Sequence, residues 1–165
     1  MTLPAWADVR GERRGHIERV VALLDEWAST MRIPAAERDR WRRAAWLHDA
    51  LRDAPLPDPL AHGPAAADRA AADGERDRGV LDAVRYHTIG YAGWDDVGRM
   101  LYLADFLDPG RDFDPNGRRA LAARVSTDRD TVLREVARRR IEWVLRSGWP
   151  LPPETVAFWN ALVGR

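Results

Sequence analysis

Residues 41–60 read WRRAAWLHDALRDAPLPDPL, and this stretch decides the fold class. Its first half places apolar, small and imidazole side chains on one helical face, at Trp41, Ala44, Ala45, His48 and Leu51. Its second half carries prolines at positions 55, 57 and 59, which stop a helix because proline has no backbone N–H to donate. We therefore predict a helix from about Pro34 that ends before these prolines and buries a histidine.

Helical spacing of apolar residues continues on both sides of this stretch. We predict helices over about 13–31, 75–88, 94–107 and 128–146, an Ala-rich helix after His62, a polar loop at 110–116 and a short helix after Pro152. No segment shows the alternation of apolar and polar residues that is typical of a strand. The predicted fold class is all-α, a single helical-bundle domain over residues 1–165. Its core spans about 13–147, and its C-terminal helix spans about 153–164.

The amino-acid composition excludes several kinds of chemistry. All 26 basic residues are arginine, and the chain has no cysteine. The absence of lysine excludes a Schiff base or a Walker-A lysine, and the absence of cysteine excludes thiolate nucleophiles, disulfides and thiolate metal sites. None of the three serines lies in a G-x-S-x-G elbow, so an α/β-hydrolase is excluded as well. The remaining residue types suit metal-assisted hydrolysis.

Charge and hydropathy set expectations about partners and location. The formal net charge is zero and the pI is about 6.9, so no basic surface for nucleic acid is predicted. The sequence has neither an apolar signal region at its start nor an apolar run of about 18 residues. We expect a cytoplasmic protein without nucleic-acid or membrane partners, and we leave a homodimer open. The eight tryptophans could fill the core, stack on a base or line a dimer surface.

Four polar residues interrupt the apolar helix faces. These are His16, His48, His87 and Asp105. A buried ionised carboxylate is costly unless it is paired, so Asp105 needs an arginine or a metal ion. Each histidine alone also fits a hydrogen-bonded core residue, but four inward His or Asp positions on separate helices favour a metal site.

The neighbour of His48 adds a second carboxylate to this set. Asp49 would lie about 100° from His48 around a helix, so both could reach one ion only at the edge of that helix. A mixed set of imidazoles and carboxylates suits iron, manganese or zinc better than calcium.

Six segments, taken in order, resemble one protein family. They are Arg13-x-x-His16, AAWLHDALRD (44–53), LAHGPAAA (60–67), VLDAVRYHTIG (80–90), MLYLADFLDPGRDFD (100–114) and LPPETVAFWN (151–160). Together they are similar to the YqeK-type family of HD-domain metal-dependent phosphohydrolases. That resemblance implies hydrolysis of diadenosine tetraphosphate, a small nucleotide, symmetrically into two ADP.

The resemblance also implies roles for individual residues. The implied metal ligands are His16, His48, Asp49 and Asp105, with iron as the expected ion and manganese, cobalt or magnesium as alternatives. The implied substrate-binding residues are Arg13, Arg52, His62, His87, Phe106 and Arg111. The implied catalytic residues are Asp49, His87 and Arg52, and Trp159 is expected near the nucleoside.

Some departures from the family pattern leave the substrate open. The segment between Asp49 and His62 is short, Tyr91 stands where the family commonly has Arg, Arg52 where it usually has Lys, and Gly15 where a bulkier residue is expected. The alternatives are therefore an HD phosphohydrolase of another nucleotide or phosphoester, and a nucleotide sensor without turnover. A third alternative is an interaction domain whose histidines are only structural.

Overall fold

The computed structural model describes residues 1–164 of the chain. Within that range the chain forms seven helices and no strand, which confirms the all-α class. The helices are α1 (Gly11–Thr30), α2 (Ala35–His48), α3 (His62–Ala72), α4 (Arg78–Tyr86), α5 (Asp96–Leu107), α6 (Pro115–Arg146) and α7 (Pro153–Val163). In this described part of the chain, every helix is too short or too polar to cross a lipid bilayer.

Helix α5 is the central element of the bundle. Ten of its twelve residues are buried, and it packs against α1, α2, α4 and α6. A helix that is apolar on every face is a core helix. Asp105 is the one charged residue among the buried side chains of α5. The central helix thus places a carboxylate in the core, and the negative charge of that carboxylate needs a cationic partner there.

Helix α2 is shorter than its apolar pattern predicts. It ends at His48, and Asp49 follows with non-helical backbone angles (φ −107°, ψ 13°). The prediction that Leu51 continues the helix, and with it the 100° angle between His48 and Asp49, was therefore wrong. Leaving the helix frees the Asp49 side chain to turn toward the same interior space as His48.

Helix α6 is longer than predicted, because a helix over residues 115–127 precedes the expected one. The two parts meet at Asp128, whose backbone is non-helical (φ −148°, ψ 46°). The start of α6 carries two ordinary signals that the sequence-based prediction missed. Pro115 occupies the first turn, and the Asp114 side chain accepts a hydrogen bond from the backbone N–H of Gly117 at 3.1 Å.

Candidate metal centre

Helix ends bring four histidines and two aspartates into one buried cluster. His16 lies on α1, His48 ends α2, Asp49 follows it, His62 begins α3, His87 follows α4 and Asp105 lies near the end of α5. All six residues are at most 6% exposed. The four ligands predicted from the sequence, His16, His48, Asp49 and Asp105, therefore do meet in space.

Each histidine is fixed through its Nδ1 atom. Three of the rings donate Nδ1–H to a backbone carbonyl, which can only accept, so the Nε2 atom of the neutral ring presents a lone pair. The acceptors are Ala45 O for His48, Pro59 O for His62 and Val84 O for His87, each at 2.7 Å. This is how proteins orient metal-binding imidazoles.

The fourth histidine is fixed by a carboxylate. His16 Nδ1 donates to Asp108 Oδ2 at 2.6 Å, and His16 Nε2 lies 3.1 Å from Asp105 Oδ1. Burial lowers the pKa of His16, but these two hydrogen bonds and the nearby carboxylate charges outweigh it and raise the pKa to about 9. Burial lowers the pKa of His48 to about 4. Without an ion, a proton on His16 thus supplies the positive charge on this side of the cluster, and a metal ion would displace it.

The Nε2 atoms face one another in two pairs. His62 Nε2 lies 3.1 Å from His87 Nε2, and His16 Nε2 lies 3.4 Å from His48 Nε2. In the first pair both Nδ1–H groups are already donated to carbonyls, so two neutral rings would bring two lone pairs into contact. Such a contact needs a cation between the rings, either a proton or a metal ion.

Asp49 joins the two pairs through its two oxygens. Its Oδ1 is 3.3 Å from the Nε2 atoms of both His62 and His87. Its Oδ2 is 3.7 Å from His16 Nε2 and 3.8 Å from His48 Nε2. Two triads that could hold a metal ion therefore share one carboxylate. Donor atoms that bind one ion at about 2.1 Å lie about 3 to 4 Å apart, so the spacing fits.

Arginines surround the two carboxylates on their outer sides. Arg13 Nη1 lies 3.1 Å from Asp49 Oδ2, while Asp105 pairs with Arg111 Nη2 at 2.7 Å and with Arg140 Nη2 at 3.0 Å. Burial raises the pKa of Asp105, but the charges of Arg111 and Arg140 and the hydrogen bond of His16 hold it well below its ordinary value. The cluster is thus an ionised, buried centre with cations at its rim.

Two residues predicted to bind substrate lie inside the cluster instead of beside it. The Nε2 atoms of His62 and His87 both lie 3.3 Å from Asp49 Oδ1, closer than those of His16 and His48 lie to Asp49 Oδ2. Arg13 and Arg111 lie at the rim, where a phosphate contact was predicted. A polar cleft of about 430 Å³ opens there, lined by both of them and by Arg10, His16 and Arg19 among others.

Three other predicted residues lie away from the cluster. Arg52 is half-buried, and its Nη1 donates to Pro59 O at 3.5 Å, the same carbonyl that accepts from His62. Phe106 is 8% exposed, and its ring packs against the guanidinium of Arg118, whose Cζ lies 4.9 Å from the ring centre. Trp159 lines a separate cleft between α6 and α7 that contains no residue of the cluster. The roles given to these three residues stay predictions.

Sequence reasoning missed three residues that support the cluster: Asp108, Arg19 and Arg140. Asp108 fixes His16 and also accepts from Arg19 Nε at 2.7 Å. A signal for this pair existed, since Asp108 follows Asp105 by three residues and Arg19 follows His16 by three. No signal existed for Arg140, which is one of three consecutive arginines and lies 35 residues from Asp105.

Comparisons with known proteins agree with this geometry. Two curated bacterial relatives are named bis(5'-nucleosyl)-tetraphosphatase, symmetrical. The one from Bacillus subtilis (strain 168) is 30% identical over 90 residues, 54% of this chain and 47% of the relative. The one from Halalkalibacterium halodurans is 29% identical over 107 residues, 64% of this chain and 56% of the relative. The chain thus spans about half the length of the curated relatives it matches.

The fold itself has a solved counterpart, and a family model covers most of the chain. A Clostridium acetobutylicum protein described as a predicted HD superfamily hydrolase involved in NAD metabolism superposes with a TM-score of 0.82. It shares 24% identity, over 95% of this chain and 92% of that protein, so it supports the fold. The HD domain family model matches residues 13–135, a range that contains all four histidines and both aspartates of the cluster. The chain belongs to the HD domain family.

Proposed function

We propose that this chain is a metal-dependent phosphohydrolase that cleaves diadenosine tetraphosphate symmetrically into two ADP. The observation that carries the proposal is the shared carboxylate of Asp49, flanked by two pairs of inward-facing imidazole nitrogens. The names of the two curated relatives support this substrate, although each matches over about half its length.

The donor set fits two metal ions. His16, His48, Asp49 and Asp105 would hold one ion, and Asp49, His62 and His87 would hold the other. Four imidazoles with two carboxylates suit iron, manganese, cobalt or zinc, whereas magnesium prefers an all-oxygen set. The family resemblance makes iron the first choice among them. When bound, such ions lower the pKa of water and polarise phosphoryl oxygens.

The arginines at the rim have a matching role in binding substrate. In the metal-free chain Arg13, Arg111 and Arg140 neutralise the carboxylates. When metal ions are bound at the carboxylates, the guanidiniums would be free to pair with phosphate oxygens, which they can do bidentately. The Nε atoms of Arg13 and Arg140 are buried and have no hydrogen-bond partner within residues 1–164. Both side chains thus retain a free donor.

Two of the residues predicted to be catalytic receive different roles in this proposal. His87 acts as a ligand with His62, because its Nε2 faces Asp49 at 3.3 Å. Arg52 acts as a positioning residue, because it shares the Pro59 carbonyl that sets the orientation of His62. Asp49 keeps both predicted roles, as ligand and as a carboxylate able to accept a proton. The leaving ADP is stable as an anion, so no strong general acid is required.

The test combines metal analysis with product analysis. Protein purified without chelator is expected to retain iron and to convert diadenosine tetraphosphate to ADP alone, measured by anion-exchange chromatography. Formation of ATP with AMP would contradict symmetric cleavage. If iron, manganese and cobalt all support nucleotide binding without any product, the chain is a sensor and the catalytic proposal is wrong.

A further inference from the structure

A second cleft adjoins the metal centre on its apolar side. It has a volume of about 370 Å³, and its apolar walls include Ile89, Tyr102, Ile141, Trp143 and Trp149. It lies between the end of α6, the segment before α7 and the residues that flank α3 and follow α4. We call it the tryptophan cleft. Its volume falls within the range of small-molecule sites.

Three contacts connect the tryptophan cleft to the metal centre. Arg140 lines the cleft, lies 4.3 Å above the Tyr102 ring and reaches Asp105 with its Nη2 at 3.0 Å. Pro59 also lines it, and the Pro59 carbonyl orients His62. Thr88, the residue after His87, completes this border. A ligand in the cleft would therefore have its polar end at the centre.

The mouth of the cleft is built from two exposed indoles. Trp143 is 55% exposed and Trp149 is 57% exposed, and their rings meet edge to face with centroids 5.0 Å apart. Tryptophans are frequent in binding surfaces, because an indole combines a large apolar face with a polar N–H. Indole faces beside a cationic centre suit a flat aromatic ring that is tied to an anion, because bases stack on such rings while phosphates pair with arginine.

We propose that the tryptophan cleft receives the nucleobase of one nucleoside, whose phosphates extend past Arg140 to the metal centre. The base stacks on Trp143 or Trp149, and Arg140 stands at the junction between the apolar and the ionic parts of the ligand. This inference rests on the proposed function only in taking a nucleotide as the substrate.

The test measures binding and does not depend on turnover. ADP and inorganic pyrophosphate are titrated calorimetrically into manganese-loaded wild-type protein and into the double variant Trp143→Ala/Trp149→Ala. Loss of the stacking faces is expected to weaken ADP binding by about 10-fold or more. Pyrophosphate binding is expected to stay unchanged, because pyrophosphate has no base.

Two further variants make the result specific. Leu145→Ala is the matched control, since Leu145 is 57% exposed on the same helix and lies outside the cleft; it is expected to bind both ligands like the wild type. Trp143→Phe/Trp149→Phe keeps two stacking faces and is expected to retain most of the ADP affinity. Circular dichroism confirms that each variant is folded.

The outcomes separate this inference from the proposed function. Unchanged ADP affinity in the double alanine variant overturns the base site, even if the wild type hydrolyses diadenosine tetraphosphate. Unchanged ADP affinity together with a shift from dimer to monomer in light scattering also overturns it and makes the cleft an interface between copies. Selective loss of ADP binding supports the base site, even if no hydrolysis is found.

Discussion

Two clusters of charged side chains within residues 1–164 differ in how their hydrogen bonds are satisfied. In the first, Arg40 donates to three carboxylates: to Asp77 from Nε at 2.6 Å, to Asp95 from Nη2 at 2.7 Å and to Glu37 from Nη1 at 2.8 Å. Asp77 and Asp95 also cap α4 and α5. Every guanidinium nitrogen of Arg40 donates to a carboxylate, so the hydrogen bonds of Arg40 are complete as the chain folds.

The metal centre is not complete in the same sense. The Nε2 atoms of His62 and His87 face each other across 3.1 Å, and the carboxylates of the centre pair with arginines at the rim. The contrast separates structure from function: a charged cluster satisfied by its own atoms stabilises the fold, whereas one with converging acceptors binds a cation. Changes in the two clusters should therefore have opposite consequences.

The largest effect is expected from Asp49→Asn. This change removes the charge that both triads share, so metal retention and hydrolysis should fall below detection. The metal-free variant should melt slightly below metal-free wild type, because the amide fills the same volume but loses the ion pair with Arg13. Plasma mass spectrometry measures the retained metal, chromatography measures hydrolysis, and calorimetry measures the melting temperature. Wild-type turnover in this variant would contradict the bridging assignment.

The next effect concerns metal loading. Each manganese ion, supplied at about 100 times its dissociation constant, should stabilise the wild type by about 2.7 kcal/mol, because only the folded chain assembles the site. For a chain of this size that raises the melting temperature by about 5 to 10 °C. The Asp49→Asn variant should show no such rise in a calorimetric scan. An equal rise in the variant would mean that the metal binds elsewhere.

A smaller effect is expected from Asp108→Asn. A neutral amide accepts the Nδ1–H of His16 more weakly than a carboxylate does, and it releases Arg19. Metal affinity should fall about 10- to 100-fold, measured by competition with a chelating dye. The matched control is Asp130→Asn, whose carboxylate is 73% exposed and pairs with Arg129 on the surface. If the two variants bind the metal with equal affinity, the hydrogen bond from His16 to Asp108 does not contribute to metal binding.

The smallest effect is expected in the Arg40 cluster, from Asp77→Asn. Hydrogen bonds from Arg40 lower the pKa of Asp77 from 3.8 to about 2. Its charge therefore stabilises the folded chain above about pH 4, and that stabilisation is lost as the pH falls toward 2. Urea unfolding should show a loss of about 1 kcal/mol at pH 7 that shrinks at pH 3, with hydrolysis unchanged. If the difference in unfolding free energy between wild type and variant is the same at pH 7 and pH 3, the charge of Asp77 is not what stabilises the fold.

The sequence predicts the centre better than its surroundings, for reasons that individual residues show. His16 and Asp105 occupy apolar helix faces, so periodicity alone points them inward. Asp49 was placed on a helix although α2 ends at His48, well before the prolines that predicted its end. The helix over 128–146 was predicted, but its direction relative to α5 was not, because that direction depends on the kink at the non-helical Asp128. Arg140 lies beyond that point.

Anomalous diffraction from crystals grown with iron tests the central claim most directly. We expect two anomalous peaks, one on each side of the Asp49 carboxylate. One lies among His16, His48 and Asp105, and the other lies between His62 and His87. If the folded protein turns over diadenosine tetraphosphate but its crystals show no peak at this cluster, the assignment of the cluster as the metal site is wrong.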